Sequence, residues 1–395
     1  MKYDFKTRVN RKGQGSLKWK DMYEKKRDVS DGVVPLSVAD MEFKHPEELI
    51  SGLKEHIENT VLGYTGPTDE FKQSVANWMQ RRHNFKIEKD WIVNTSGVVP
   101  AFFNAIREFT KEGDGVIIMS PVYYPFYNAI KLQNREIVDC PLVEKDGYYT
   151  INYELFDELS KNSKNKVLLF CSPHNPVGRV WKREELEKLA YIIKKNDVLL
   201  LSDEIHFDLI MPGYEHTVFQ TIDEEIAERT ITFTAPSKSF NIAGMGMSNI
   251  IIKNKELRDR FIKALESISV IPTTAVGYKA CQIVYDKCEQ WLDECIDVID
   301  GNQRLLNDFF EKRFKNIKAP LIEGTYLQWV DFRALGLDKE KLEKFMIEEA
   351  ELFLDEGYIF GKNGEGFERF NLAVPKEVLE EALERLDKAL NRLKK

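Results

Sequence analysis

The chain has 395 residues, 43% of them hydrophobic, with 57 basic and 65 acidic side chains and a formal net charge of −8. That length buries at least one large core and corresponds to about two or three domains. The acidic balance removes any global electrostatic case for binding a nucleic-acid backbone, and against it the short basic run Arg81, Arg82, His83 reads as a solvated helix face.

The N-terminal stretch MKYDFKTRVNRKGQGSLKWK is charged and has no apolar core of a secretory signal. No run of about 18 apolar residues occurs anywhere, so the expectation is a soluble cytoplasmic protein with no membrane partner. The five cysteines, Cys140, Cys171, Cys281, Cys288 and Cys295, are odd in number and form no close pair, which argues against a disulfide framework. The last three fall seven apart on a predicted helix, roughly 10 Å per step, too far to share a metal ion. They read as small buried hydrophobes, and no metal is expected.

Residues 1 to 45 form an irregular leading segment ending in VVPLSVADMEF, where an apolar run meets Ala39, Asp40 and Met41. It is expected to pack on the rest of the chain. A helix is predicted over 46 to 61, started by Pro46 with Glu47 and Glu48 in its positive first turn. GYTGPTDEF follows, with Tyr64 between two glycines in an exposed turn, and a second helix runs from about 68 to 82.

From 91 to 253 apolar runs alternate with helical stretches. Strands are predicted at 91–95, 115–120, 135–140, 166–171, 197–202, 230–234 and 247–253, with helices at 98–110, 124–132, 153–161 and 182–195. This alternation specifies an α/β fold with a mostly parallel sheet covered by helices on both faces. Helices at 254–267 and 274–312 lead out of it. Strands at 325–332 and 357–360 with helices at 338–350 and 376–393 then read as a smaller α+β domain. The expected division is a leading segment at 1–45, a large domain at 46–285 and a small domain at 286–395. The glycine-rich GKNGEGFE at 361–368 lacks the strand-turn-helix setting of a dinucleotide loop.

Ligands of parallel sheets gather where strands end, and the chemistry-bearing residues fall there. Lys238 sits in TAPSKSFNIAGMG between two serines, after a proline and before an apolar run. A desolvated amine there loses its proton more easily and can attack an aldehyde carbon; the competing reading is a solvated loop lysine. Asp203 ends the strand in LLLSDEIHFD. It is either a cap or the partner of a pyridine nitrogen, which it would keep protonated. His206, three residues on, is a structural histidine or a hydrogen-bonding support for Asp203 or a cofactor.

Asn175 in CSPHNPVGR is turn chemistry, or an amide donating to a phenolic ring oxygen. NTSGVVPAFFNAI places Gly97 at a helix start, where Val98 and Val99 offer free N–H groups to a phosphate, a weak signal in any α/β protein. Tyr123 and Tyr124 lie between prolines in PVYYPF. They are packing residues, or one ring stacks on a cofactor while the other hydroxyl reaches its phosphate. Arg369 in GFERFNLAVP is an exposed charge or a fork for a carboxylate. Together these outline a pyridoxal phosphate site.

The stretches VVPLSVADMEF, LGYTGPT, SPVYYPF, CSPHNPVGR, SDEIHFDLI, APSKSFNIAGMGMSN and GTYLQW span nearly the whole chain. They resemble fold-type I pyridoxal phosphate enzymes of the aminotransferase class I and II superfamily, in the cystathionine β-lyase branch. The resemblance implies that Lys238 carries pyridoxal 5′-phosphate as an imine, with Asp203 at the pyridine nitrogen, Asn175 at the ring oxygen, Tyr123 stacked and His206 beside the cofactor. It places Gly97, Val98, Val99, Tyr124 and Ser237 at the phosphate, and Arg369, Asn175 and Ala39 on the substrate side. It also implies a homodimer with shared sites, Tyr64 coming from the second subunit.

One departure stands out: where many aminotransferases carry a phosphate-gripping arginine after the lysine, this chain reads Gly244, Met245, Gly246, Met247. The implied activity is α,β-elimination from cysteine, cystathionine or related S-substituted amino acids, giving pyruvate, ammonia and sulfide or a thiol. The rival readings are an aminotransferase on the same scaffold and a regulatory protein-binding role with an incidental cofactor site.

Overall fold

The computed structural model describes residues 1–269 and 273–393. Helices α1 (Leu17–Lys25), α2 (Glu47–Asn59) and α3 (Asp69–His83) precede the sheet. Thr68 caps α3 by accepting from the Phe71 amide at 3.2 Å, and Asn84 ends it in the left-handed region at φ 48°. The alternating region then runs β1 (Ile92–Thr95), α4 (Val98–Phe109), β2 (Gly115–Ile118), α5 (Pro125–Lys131) and β3 (Glu136–Asp139). A hairpin of β4 (Val143–Lys145) and β5 (Tyr148–Thr150) leads to α6 (Tyr153–Ser160), β6 (Val167–Cys171), α7 (Arg183–Lys195) and β7 (Leu199–Asp203). Next come α8 (Glu224–Glu228), β8 (Thr230–Thr234), α9 (Pro236–Ser239), β9 (Ser248–Ile252) and α10 (Lys255–Glu266).

All seven strands expected between 91 and 253 join one sheet, in the order β1-β9-β8-β7-β6-β2-β3. Only β9 runs against its neighbours. A parallel return needs a crossover long enough to traverse the sheet face, and the β8-to-β9 link is spent instead on α9 and the turn that presents Lys238. Strand residues alternate between two apolar layers. Val116, Ile118, Leu169 and Leu201 pack on the side of α4 and α5, whereas Ile117, Leu168, Phe170 and Leu200 pack on the side of α6 and α7. Burial on both faces is why these strands read as unbroken apolar runs.

The chain continues through α11 (Ala275–Lys287), α12 (Glu289–Arg313), β10 (Leu327–Asp331), α13 (Lys339–Lys344), β11 (Asp355–Glu356), β12 (Phe367–Asn371) and α14 (Lys376–Leu393). The single helix expected over 274–312 is two, broken at Cys288 (φ −112°, ψ 15°). All five cysteines are free and buried.

The strand expected at 357–360 is instead a 3-10 turn, and the discounted glycine-rich stretch runs into β12, whose partners are β10 and β11. A side chain at Gly357 would overlap the carbonyl oxygens of Gly364 and Phe367, so the backbone closes on itself there in a way that periodicity does not register. The basic run at the end of α3 is only partly a solvated face: Arg81 is exposed as expected, whereas Arg82 and His83 are drawn inward. Arg81 pairs with Glu289 at 2.7 Å, Arg82 with Asp293 at 2.7 Å, and His83 is buried against Asp208. The two arginine pairs tie α3 to α12.

The leading segment crosses from one part of the molecule to the other. Leu36 donates to Phe353, Asn371 to Leu36 and Glu42 to Ala373, each backbone bond 2.9 Å. Lys18 of α1, fully buried, lies 2.9 Å from Asp40 and 2.8 Å from Glu42, and Arg11 pairs with the same two carboxylates at 2.9 Å. The weak apolar pattern of α1, whose buried face is only Lys18, Trp19 and Met22, explains why the sequence did not mark it.

Candidate active site

The short helix α9 follows β8 with Pro236 at its start, which presets the φ a first turn needs. It is pinned from beneath. Ser239 donates to Asp208 at 2.5 Å, and the same buried carboxylate accepts from Trp78 Nε1 at 3.0 Å and His83 Nε2 at 2.7 Å. With its neighbour fixed, Lys238 extends to the leading segment and donates to the Ala39 carbonyl oxygen at 2.7 Å. Burial pushes the amine down to about 8, outweighing the attraction of Asp40 and Asp203.

Asp203 closes β7 and accepts from the Ile205 amide at 3.2 Å. Burial raises its carboxyl to about 7, against the pull of Lys238. His206 is buried beside it, its Nδ1 without a partner among the described residues, and burial lowers its pKa well below the usual value. Its ring stands edge-on to Tyr326 at 5.8 Å.

Asn175, in the loop after β6, accepts from Arg369 Nη1 at 2.8 Å, which leaves the amide NH2 as its donor end. Arg369 lies in β12 and is 2% exposed, so it is not a surface charge. Its guanidinium also donates to Asp355 and covers the Phe360 ring at 4.7 Å.

A cavity opens among these elements. It is lined by Ala39 from the leading segment, by Gly97, Val98 and Val99 from the start of α4, and by Tyr123 and Asn175. Asp203, His206, Ser237 and Lys238 also line it. Ser96, Pro100, Cys171, Ile205, Ala243 and Met247 also line the wall; they lie within the quoted stretches, but the sequence reading gave none of them a role.

Three expected residues do not line the cavity. Arg369 reaches it through Asn175. Tyr124 is exposed at the start of α5, its ring edge-on to Phe360 at 6.1 Å. Tyr64 is fully exposed on the link between α2 and α3, beside a separate surface hollow at Thr273 to Val276.

The donor set fits pyridoxal 5′-phosphate. Asp203 is a buried carboxyl whose charge awaits a cation, matching a protonated pyridine nitrogen. Gly97 caps the 12-residue helix α4, whose first N–H groups are open, and a Cβ on Gly97 would meet only Pro100 Cδ at 3.5 Å. The glycine is thus not demanded by protein packing; it leaves a cradle that a side chain would fill. Among the described residues no cluster of three His, Cys, Asp or Glu side chains is placed to hold a metal ion.

A doubly covered, mostly parallel sheet with a buried lysine, a strand-end aspartate and a glycine-capped helix around one cavity defines a fold-type I pyridoxal phosphate enzyme. Residues 31–386 match the family model for aminotransferase class I and II. Cystalysin from Treponema denticola, whose crystal structure contains a pyridoxal 5′-phosphate cofactor, is 64% identical with a TM-score of 0.99, each chain being covered in full. Cystathionine beta-lyase PatB of Bacillus subtilis (strain 168) is 36% identical over 388 residues, 98% of this chain and 100% of its own. Protein MalY of Escherichia coli (strain K12) is 29% identical over 391 residues, 98% and 99% of the two chains.

The chain belongs to the aminotransferase class I and II family, and its cofactor is pyridoxal 5′-phosphate. Within that family it stands with the carbon–sulfur lyases.

Proposed function

We propose that the protein catalyses α,β-elimination from L-cysteine, cystathionine or a related S-substituted amino acid, releasing a thiol or sulfide and yielding pyruvate and ammonia. The observation that carries this reading is Lys238, an amine that lines the cavity with Asp203, Asn175 and Tyr123 and is held at 2.7 Å on the Ala39 carbonyl, its pKa pushed down by burial to about 8. At that value a useful fraction is the free base at cytoplasmic pH, as removal of a Cα proton requires. When bound, pyridoxal phosphate supplies an electron sink for the charge left on Cα.

Each side chain has a matching task. Arg369, buried and forked, takes the substrate carboxylate and thereby aims Cα at Lys238. Asp203 holds the proton on the ring nitrogen, and Asn175 offers its amide N–H to the ring oxygen. Tyr123 closes one wall, and burial keeps its phenol protonated well above the usual tyrosine value. The first N–H groups of α4, with Ser237, seat the phosphate, and backbone and hydroxyl donors take the place of the arginine missing at Gly244 to Met247.

We assign the protein to the cytoplasm as a homodimer that shares its sites. Tyr64 is fully exposed next to exposed Val61 and Leu62, a surface suited to a second copy that would receive the phenol. Among the described residues no helix is long and apolar enough to cross a membrane. Residues 46–285 and 286–395 are our division into large and small domains, with 1–45 packing on the small domain and the site.

The test is an assay of the purified, cofactor-loaded enzyme for pyruvate and for released thiol or sulfide with cysteine, cystathionine and S-alkyl cysteines. Stoichiometric pyruvate and thiol are expected without any 2-oxo acid. Turnover that requires a 2-oxo acid and gives no pyruvate identifies an aminotransferase instead.

A further inference from the structure

The carboxylate nearest the substrate-holding arginine is Asp355, which no motif in the sequence singles out. It occupies the two-residue strand β11, directly opposite Arg369 of β12 in the register of the small sheet. Its side chain accepts from Arg369 Nη2, so a sheet ladder rather than a loose loop delivers the negative charge. Arg369 Nη1 is taken by Asn175 Oδ1 at 2.8 Å. Nε is buried and has no partner among the described residues.

In a guanidinium, Nε and Nη2 lie along one edge, the edge on which a carboxylate forms two parallel hydrogen bonds. The unfinished edge of Arg369 therefore contains the nitrogen that Asp355 already holds. We propose that Asp355 is the internal counter-ion of Arg369 and sets the affinity for the substrate carboxylate by competing with it. This rests on the assignment of Arg369 to that carboxylate made above.

Two features make the exchange cheap enough to operate. A buried guanidinium needs a counter-charge in the empty enzyme, and an arriving carboxylate supplies the same charge, so one anion replaces another on the same cation. Asp355 is also not orphaned when it yields, because Oδ2 accepts from the Val38 amide at 2.9 Å. Val38 stands at φ 45°, a left-handed conformation that a β-branched residue adopts only when held. Asp355 thus supports the leading segment and screens Arg369 with one oxygen. Being tied to the arginine rather than to the reacting carbon, it is a positioning residue, and its charge acts on binding instead of proton removal.

The experiment is Asp355→Asn in the loaded enzyme, with Glu356→Gln as a control for charge removal in the same strand. The expected result is a roughly tenfold fall in KM and in the inhibition constant of propionate, a carboxylate without an amine, with kcat within twofold of wild type. The control leaves all three unchanged. Calorimetric binding of propionate to the loaded enzyme reads the same shift without turnover. If Asp355→Asn does not yield folded protein, Asp355→Ser is read in the same way. A propionate affinity that is unchanged or weaker in the variant overturns the proposal and makes Asp355 a structural support. Absence of pyruvate from wild type overturns the lyase reading instead, while the propionate titration still decides the role of Asp355.

Discussion

The amine of Lys238 donates to the carbonyl oxygen of Ala39 at 2.7 Å across a sequence separation of 199 residues, and the buried Tyr326 hydroxyl donates to the same oxygen at 2.7 Å. A backbone carbonyl can accept both without changing protonation. It gives the amine a fixed resting place at the cavity wall when that amine is not covalently engaged, so that the base is positioned before it acts. The leading segment is for this reason part of the site, although its own sequence carries only Ala39 into the cavity.

Covalent attachment should be confined to this one amine. Borohydride treatment of the loaded protein followed by peptide mapping is expected to place the cofactor mass on the peptide containing Lys238. Lys238→Ala should lower kcat by about 10²–10⁴-fold or more while leaving the fold intact by circular dichroism. A tag on a different lysine would remove the basis of the assignment.

Asp203 predicts a pH dependence of the cofactor-free protein. Its folded-state pKa is raised to about 7 from an ordinary value of 3.8, so its contribution to stability is complete below about pH 4 and is lost as pH rises through 7. Asp203→Asn should therefore stabilise the cofactor-free protein at pH 8 by a few kcal/mol, at about 1.4 kcal/mol per pKa unit, and change it little at pH 4. Thermal unfolding at the two pH values measures this. The same variant should bind the cofactor more weakly, because the ring nitrogen loses its anion.

Lys238 has the opposite window. Its pKa is lowered from 10.5 to about 8, so between those values the unfolded chain binds more protons than the native one and stability rises with pH. In cofactor-free protein this upward contribution between about pH 8 and 10.5 should vanish in Lys238→Met, as followed by urea midpoints across that range.

Lys18 is the anchor of the leading segment. Replacing it with methionine removes the cation between Asp40 and Glu42 and leaves the buried Glu42 with Arg11 and the neutral Trp19 Nε1 as donors. A loss of roughly 3–5 kcal/mol is expected, the cost of breaking one partner out of a buried ion pair. Denaturant unfolding checks the loss, and restoration by combining Lys18→Met with Glu42→Gln would attribute it to the stranded charge.

Shared sites make inactive chains complement each other. Tyr64→Ala mixed with Lys238→Ala under conditions of proven subunit exchange should recover part of the wild-type activity, up to about one quarter when hybrids assort at random and each holds one intact site. No recovery would place Tyr64 outside the partner's site.

The sequence by itself determined the elements that local chemistry fixes. The seven strands of the central sheet were legible because burial on both faces leaves continuous apolar runs, and the turns holding Asn175, Asp203 and Lys238 were legible because they stop those runs with polar or cyclic residues. Gly97 at the start of α4 was readable for the same reason, and the resemblance of whole stretches then supplied roles that no single residue carries.

Tertiary structure alone decided which distant groups meet. Asp355 reaches Arg369 only through the register of β11 and β12, Ala39 reaches Lys238 only because Lys18 and Arg11 fasten the leading segment, and Asp208 collects Trp78 and His83 from α3 and Ser239 from α9. None of these pairings leaves a periodic trace, since contact between residues far apart along the chain is set by how elements pack and not by the pattern within any of them. The pKa values of Lys238 and Asp203 belong to the same class: a side chain's identity gives its ordinary value, and only the depth at which the fold encloses it supplies the shift.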